Sequence, residues 1–174
     1  AVEGYFHTRS FKRYALRMLL FAVLSEVPFD LMYGGTVFYP VHQNVIWTLL
    51  MGLLGVHLLE TVRRKQKPAL FAAAAVGVIL AGAVLGILCM VDYYAVGVLT
   101  VLVFYFFRGR AWWCLLGQLA ALYWLNVAVL GGQMYPVTLF GREIELCEQG
   151  LALLALVPIW LYRGRQGHHS KAFQ

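Results

Sequence analysis

Long apolar runs, separated by short polar segments, dominate the chain. Several of these runs reach the roughly 20 residues that a helix needs to cross a hydrocarbon core of about 30 Å. The pattern predicts an all-α fold: a polytopic transmembrane helical bundle with about six spans. The predicted spans are Tyr14–Tyr33, Val45–Thr61, Ala69–Val91, Ala95–Phe107, Trp112–Leu130 and Gly150–Tyr162.

The composition favours a lipid environment over an aqueous one. Hydrophobic residues make up 61% of the 174 positions and charged residues only 13%, whereas soluble domains carry about 25% charged residues. The two shortest spans, 95–107 and 150–162, end in aromatic residues. Such residues anchor helices at the membrane surface, so both short segments remain predicted spans.

The net charge of +6 arises from basic residues that gather on one side of the predicted bundle. If each span crosses once, the opposite loops contain only Arg142. Basic loops mark the cytoplasmic side of a membrane protein, so the charge does not call for a nucleic-acid partner, and the other face is periplasmic or extracellular. The clustered basic residues are Arg9, Lys12, Arg13, Arg17, Arg63, Arg64, Lys65, Lys67, Arg108, Arg110, Arg163, Arg165 and Lys171.

Both ends of the chain look like parts of longer elements. The opening AVEGYF enters a basic loop as the tail of a helix would, and the closing RGRQGHHSKAFQ is typical of a loop that precedes another span. We therefore expect residues 1–174 to form a single integral membrane domain that lacks an N-terminal and a C-terminal helix.

Two carboxylates lie inside the first predicted span, in the stretch SEVPFDL. Glu26 and Asp30 are four residues apart, which places both on one helix face with Ser25 beside them. Charged groups at membrane depth are costly and normally face the bundle interior, a partner or water. Pro28 between them cannot donate a backbone hydrogen bond, which favours a loosened turn facing a cavity. We therefore interpret this segment as one wall of a functional site.

Structural interpretations of the same residues stay open. Glu26 can serve as a structural carboxylate paired with an Arg or Lys, and Asp30 can cap the turn at Gly34 and Gly35. Gln43 and Asn44 begin the next helix, where they either cap it or line the same outer cavity.

Two further pairs stand near the basic side. Arg13 and Arg17 are four residues apart and either bind phosphates through their guanidinium groups or reach out to lipid headgroups. His57 and Glu60 are three residues apart. They form a proton relay, or else Glu60 pairs with Arg63 or Arg64 and leaves His57 as an interior hydrogen-bonding group.

The small residues and the cysteines indicate packing rather than a further site. Gly82 and Gly86 form a GxxxG pattern inside the third predicted span, which predicts close packing against a neighbouring helix. Cys89, Cys114 and Cys147 show neither a paired framework nor metal-ligand spacing, so we expect no metal.

Three stretches in this order and spacing, EGYFHTRS (3–10), SEVPFDL (25–31) and QNVIWTLL (43–50), resemble the TraX family of bacterial inner-membrane proteins. That family includes the conjugative-pilin N-acetylase and is similar to the wider membrane acyltransferase superfamily. The resemblance covers mainly the first third of the chain. It marks Glu3, Gly4, Tyr5, Thr8, Arg9, Ser25, Glu26, Pro28, Phe29, Asp30, Gln43 and Asn44.

The resemblance implies a multi-pass acyltransferase of the bacterial inner membrane, with acetyl-CoA as donor and an amine or hydroxyl of a pilin or glycan as acceptor. On this hypothesis Glu26 and Asp30 are catalytic, while Ser25, Gln43, Asn44 and Glu3 bind the acceptor. Arg9, Arg13 and Arg17 hold the CoA phosphates. The resemblance also implies a catalytic histidine in a helix before Ala1, which Glu26 would orient.

Two other classes of protein fit the same span pattern. A small ion- or proton-coupled transporter or channel also needs membrane carboxylates and a bent helix, and it predicts ion flux without use of acetyl-CoA. A structural membrane subunit of a conjugation machine predicts that Glu26 and Asp30 pair with residues of a neighbouring protein.

Overall fold

The computed structural model describes residues 1–139 and 142–162, and the chain divides into two compact units, Ala1–Arg108 and Gly109–Gln174. The predicted all-α helical bundle is confirmed, with one small hairpin added. The closing loop, with Arg163, Arg165 and Lys171, lies outside the described residues.

The first unit consists of five helices. Ser10 begins the second of them because its side chain accepts a hydrogen bond from the Arg13 amide, so this helix starts three residues before the predicted Tyr14. Gly35, with φ of 65°, ends it in the left-handed conformation that favours glycine. The helices are α1 (Val2–His7), α2 (Phe11–Gly34), α3 (Val45–Arg63), α4 (Pro68–Leu88) and α5 (Tyr94–Phe106).

Three of the described helical segments are long and apolar enough to cross a membrane: Val45–Arg63, Pro68–Leu88 and Trp112–Leu130. Helix α2 has 24 residues but carries charged side chains toward both ends. Tyr94–Phe106 and Glu148–Leu161 are shorter apolar helices. The chain is thus a helical membrane protein, and the count of six spans stays a prediction.

Connections that the charge pattern places on opposite sides lie at opposite ends of the first unit. At one end, here called the outer end (residues 35–44 and 89–93), the Gln43 amide donates to the Met90 carbonyl over 2.9 Å. At the other, the basic end (residues 1–10, 64–67 and 107–108), Arg108 binds Glu3 and stacks over Phe6. The helices therefore run back and forth between a basic and a nearly uncharged end.

Helices α3, α4 and α5 form the core of this unit. Val56, Leu59 and Leu102 are almost completely buried there. A methyl group added at Gly86 would lie 2.7 Å from the Tyr94 carbonyl oxygen, and one at Gly82 would lie 3.0 Å from Val98. The close helix packing predicted from the GxxxG pattern is confirmed, because both glycines of α4 face α5 at short range.

Replacing Gly86 with alanine is expected to destabilise the protein by about 1–3 kcal/mol, because the backbone of α5 would have to move. Gly77 of the same helix is the matched control, since nothing lies within 4 Å of a methyl group added there. Thermal unfolding in detergent should show a lowered midpoint for Gly86→Ala and an unchanged or higher one for Gly77→Ala. Equal midpoints would contradict the packing role.

The second unit begins with a helix that changes its winding. Helix α6 (Trp112–Tyr123) continues as a π-helix over Trp124–Leu130, so the predicted span Trp112–Leu130 is correct in extent. The predicted loop after it contains an antiparallel hairpin of β1 (Met134–Leu139) and β2 (Arg142–Cys147), with Met134 opposite Cys147. The sequence analysis predicted no strands in this connection.

The last predicted helix also starts differently from its prediction. A 3₁₀-helix over Glu148–Ala155 precedes the α-helix α7 (Leu156–Leu161), so the helix begins before the predicted Gly150. In this unit the Trp160 indole donates to the Gln118 side chain over 2.9 Å, which satisfies a polar group that is 5% exposed.

Candidate functional site

One stripe of helix α2 carries the polar residues singled out in the sequence. Residues at spacings of three and four share a helix face, and the stripe consists of Ala22, Glu26, Phe29, Asp30 and Tyr33. Ala22 is completely buried and Asp30 is 2% exposed. The two carboxylates therefore lie one turn apart on a single face, as the spacing predicted.

Pro28 lies within α2 without breaking it, because the helix continues from Phe11 to Gly34. A proline at this position leaves the Leu24 carbonyl without its usual helical donor. The segment keeps a continuous helical stripe, and the carboxylates stay in register with each other.

Glu26 is held by two donors from the start of α3. Its Oε2 atom accepts hydrogen bonds from the Asn44 side-chain amide and, over 2.7 Å, from the Trp47 indole. Its other oxygen, Oε1, is buried and has no hydrogen-bond partner in the described part of the chain. A buried carboxylate oxygen without a donor is costly, so Oε1 is the oxygen of this group that can accept a further hydrogen bond.

Asn44 makes three hydrogen bonds, two of which link the start of α3 to α2. Its side-chain oxygen caps α3 by accepting from the Ile46 amide over 3.0 Å, and its Nδ2 atom donates to the Ala22 carbonyl over 2.9 Å as well as to Glu26. The interpretation of Asn44 as a helix cap is confirmed, and its bond to Glu26 places it beside the carboxylate; that it lines an outer cavity stays a prediction.

Asp30 faces the outer loop. Its Oδ2 atom accepts a hydrogen bond from the Tyr39 amide over 2.9 Å, while Oδ1 is buried without a partner among residues 1–139 and 142–162. The carboxylate thus caps the loop after Gly34 and Gly35 through Tyr39, which lies four residues beyond the turn named in the structural interpretation. It has the same arrangement as Glu26, with one oxygen held and one oxygen enclosed and unpaired.

Ser25 and Gln43 flank these carboxylates without bonding to them. Ser25 is half-buried, and its hydroxyl makes no hydrogen bond within the described residues. The Gln43 side chain donates to the Pro40 carbonyl over 3.2 Å, so its amide belongs to the outer loop. Both remain predicted acceptor-binding residues at the margin of the site.

Glu3 lies at the basic end, apart from the other predicted acceptor-binding residues. Arg108 binds both of its oxygens, at 2.7 and 3.2 Å. The Arg108 guanidinium holds the pKa of Glu3 below its usual range, so the pair persists at neutral pH and is lost as the pH falls through that lowered value. Helix α2 alone rises about 22 Å between Phe11 and Glu26, so Glu3 does not share their site.

The predicted donor-binding arginines stand at the same end as Glu3. Arg9, Arg13 and Arg17 are exposed, and none forms an ion pair with another described residue. Arg17 lies about 13 Å along the helix axis from Glu26. The cluster is available to phosphates or to lipid headgroups, and both interpretations stay predictions.

His57 and Glu60 have separate partners. The His57 Nδ1 atom lies 3.1 Å from the Tyr5 hydroxyl, and its ring stacks on Phe11. Glu60 accepts from Arg63 and from the Tyr105 hydroxyl. The structural interpretation of this pair is confirmed, since each group is bound by a neighbour on another helix or turn.

Sequence analysis did not predict some of the residues that lie at or near the candidate site. Trp47 stands in the quoted stretch QNVIWTLL, three residues after Asn44, but nothing in that spacing reveals a bond to Glu26. His42 directly precedes Gln43 and contacts Asp92 across the outer end. Because 50 positions separate the two residues along the chain, no local motif could predict their contact.

Comparison with known proteins gives one result for the chain. A family model described as TraX protein matches residues 1–164. No curated protein and no solved structure matches the chain.

Proposed function

This chain belongs to the TraX family, and from that premise we propose that it is an acyltransferase of the bacterial inner membrane. Membership implies a membrane protein associated with conjugation and with pilin modification. The proposed reaction transfers the acetyl group of cytoplasmic acetyl-CoA to an amine or hydroxyl acceptor, such as the N-terminus of a pilin or a glycan.

The observation that carries the proposal is the pair of enclosed, unpaired oxygens on α2, Glu26 Oε1 and Asp30 Oδ1. Stable membrane helices avoid such groups, because an unsatisfied carboxylate inside a bundle costs several kcal/mol. Their retention one turn apart is best explained by a ligand group that supplies hydrogen-bond donors. An amine or hydroxyl acceptor has that chemistry.

The two ends of α2 suit the two substrates. The exposed arginines of the basic end, Arg9, Arg13 and Arg17, match the phosphates of CoA, because guanidinium groups bind phosphate oxygens through several donors. The carboxylates toward the outer end match an acceptor presented at or across the membrane. The thioester of CoA would reach inward along α2 from the arginines toward Glu26.

The proposed step joins acceptor and donor directly. The acceptor nitrogen or oxygen attacks the thioester carbonyl, a C–N or C–O bond forms, the C–S bond breaks, and the proton lost by the acceptor converts the departing CoA thiolate to the thiol. Glu26 and Asp30 hold the N–H or O–H of the acceptor and stabilise the positive charge that grows on the attacking atom. Asn44 and Trp47 fix Glu26 in that orientation, and Gln43 borders the acceptor path.

The test is transfer of labelled acetyl from acetyl-CoA to a pilin peptide with a free N-terminal amine, by the full-length protein in liposomes. A peptide blocked at its N-terminus is the control. Labelled peptide and released CoA thiol in equal amounts would support the proposal. Absence of transfer by a folded protein, or proton flux without any use of acetyl-CoA, would overturn it.

A further inference from the structure

The hairpin of the second unit carries an open apolar face. Side chains alternate between the two sides of a strand, and residues directly opposite each other on paired strands share a side. Tyr135 is paired with Leu146, and Val137 follows two positions later on the same side. Tyr135 is 47% exposed and Leu146 is 41% exposed. This apolar face, defined by Tyr135, Val137 and Leu146, is therefore left largely uncovered by the protein.

The opposite side of the same hairpin is acidic. Pro136 is paired with Glu145, and Thr138 is paired with Glu143. All four residues are exposed. The hairpin thus has one apolar face and one acidic face, although its sequence shows no simple alternation.

The base of the hairpin is fixed between two apolar helical segments. Trp112–Leu130 is long and apolar enough to cross a membrane, and Glu148–Leu161 is a shorter apolar helix. The Glu148 amide donates to the Gln133 carbonyl over 3.0 Å. The Cys147 thiol donates over 3.0 Å to the carbonyl two residues before Gln133. Both strands are therefore held at the point where the span ends, which is at the membrane surface.

Physical chemistry limits where such a hairpin is stable. A two-stranded hairpin alone in water is marginally stable at best, because its apolar face has nothing to pack against. The hydrocarbon core does not accept it either, since the outer edges of both strands carry unpaired backbone groups. The headgroup region meets both demands, because water reaches the strand edges there while apolar side chains are covered. Tyrosine, as at position 135, is enriched at this depth.

The charges of the hairpin are sorted in the same direction. Arg142 is opposite Leu139 at the tip, and alternation places it on the side of Leu146. An arginine there can lay its methylene stem along apolar surface and keep its guanidinium at the lipid phosphates. Glu143 and Glu145 are on the side turned away. The cation is therefore on the side of the apolar face, and these carboxylates are on the other.

We propose that the hairpin lies along the membrane surface, with its apolar face in the boundary between headgroups and acyl chains and its acidic face in water. The partner is the lipid bilayer itself. Six residues in each strand give a length of about 20 Å, so the contact extends well beyond the two helices at its base. The inference does not depend on the proposed acetyl transfer.

The test places a spin label on either face at adjacent positions, with Leu146→Cys for the apolar face and Glu145→Cys for the acidic one. The background carries Cys89→Ala, Cys114→Ala and Cys147→Ser, the last of which keeps a donor, and its folding is checked by thermal unfolding. The protein is reconstituted in phosphatidylcholine vesicles, and collisions with oxygen and with a water-soluble nickel chelate are measured. We expect the label at 146 to lie about 5–10 Å below the phosphates and the label at 145 to lie in water.

The same measurement separates lipid from other occupants of the apolar face. Equal access of the nickel chelate to both labels would place the hairpin in water and overturn the inference. A label at 146 that is shielded from both reagents would show that protein covers this face, which would overturn it as well.

A second pair of variants tests what holds the hairpin on the lipid. A label at Tyr135→Cys reports the depth, and Leu146→Asp adds a charge to the apolar face. We expect this charge to move the label into water. Thr138→Asp is the matched control, because it adds the same charge to the acidic face and should leave the depth unchanged. An unchanged depth with Leu146→Asp would contradict the role of the apolar face.

Discussion

Replacement of Glu26 with glutamine should slow acetyl transfer about 100- to 1000-fold, the loss typical when a preorganised charge is removed from a water-excluded site. Glutamine has the same shape, so its oxygen can still accept from Asn44 or Trp47 and the helix stripe should persist. What disappears is the negative charge on Oε1, which faces the growing positive charge on the attacking atom.

The measurement for Glu26→Gln is the initial rate of peptide acetylation in liposomes, with the folded state checked by thermal unfolding. Glu145→Gln is the matched control, because it removes the same charge from an exposed position on the hairpin. A folded Glu26→Gln protein with the wild-type rate would remove Glu26 from the chemistry.

Replacement of Asn44 with alanine should cost about 2–4 kcal/mol of stability, the largest effect we expect on folding. The cap of α3 contributes about 1 kcal/mol. The loss of the Nδ2 donor removes the additional bond to the Ala22 carbonyl and one of the two donors to Glu26, at about 1–3 kcal/mol for buried groups. Because Asn44 is 4% exposed, water cannot replace these bonds.

Thermal unfolding in detergent would measure this loss of stability. The variant Asn44→Ser would separate the contribution of the cap from that of the bonds to Ala22 and Glu26. Serine keeps an oxygen for the Ile46 amide but is too short to reach Ala22 and Glu26. Its midpoint should therefore fall between those of wild type and Asn44→Ala. If serine and alanine were equally destabilising, the cap would contribute nothing; if both matched wild type, the link between α2 and α3 would be immaterial.

The helical architecture could be predicted because the bilayer imposes it. Apolar runs of sufficient length have few alternatives to a helix in lipid, and the positions of α3, α4 and α6 follow from them. The hairpin 134–147 escaped prediction because Pro136 and three charged residues interrupt the alternation that marks a strand. Its stability comes from pairing across the hairpin, which no single segment displays.

The candidate site was predictable only where local spacing defines it. The spacing of four positions from Glu26 to Asp30 fixes their common face, and Asn44 at a helix start predicts a cap. The bond from Trp47 to Glu26 and the contact between His42 and Asp92 depend on how α2, α3 and the connection before α5 assemble. That assembly is set by packing of residues far apart in sequence, as at Gly86, and it leaves no periodic signal.

The hydrogen bond between the Gln43 amide and the Met90 carbonyl has a practical consequence for labelling. It joins the two connections of the outer end into one rim, so an epitope or fluorescent tag inserted at 42–44 would split that rim. Thr36, Val37 and Phe38 stand exposed before it and offer an insertion point from which sidedness in the membrane can be mapped on an intact protein.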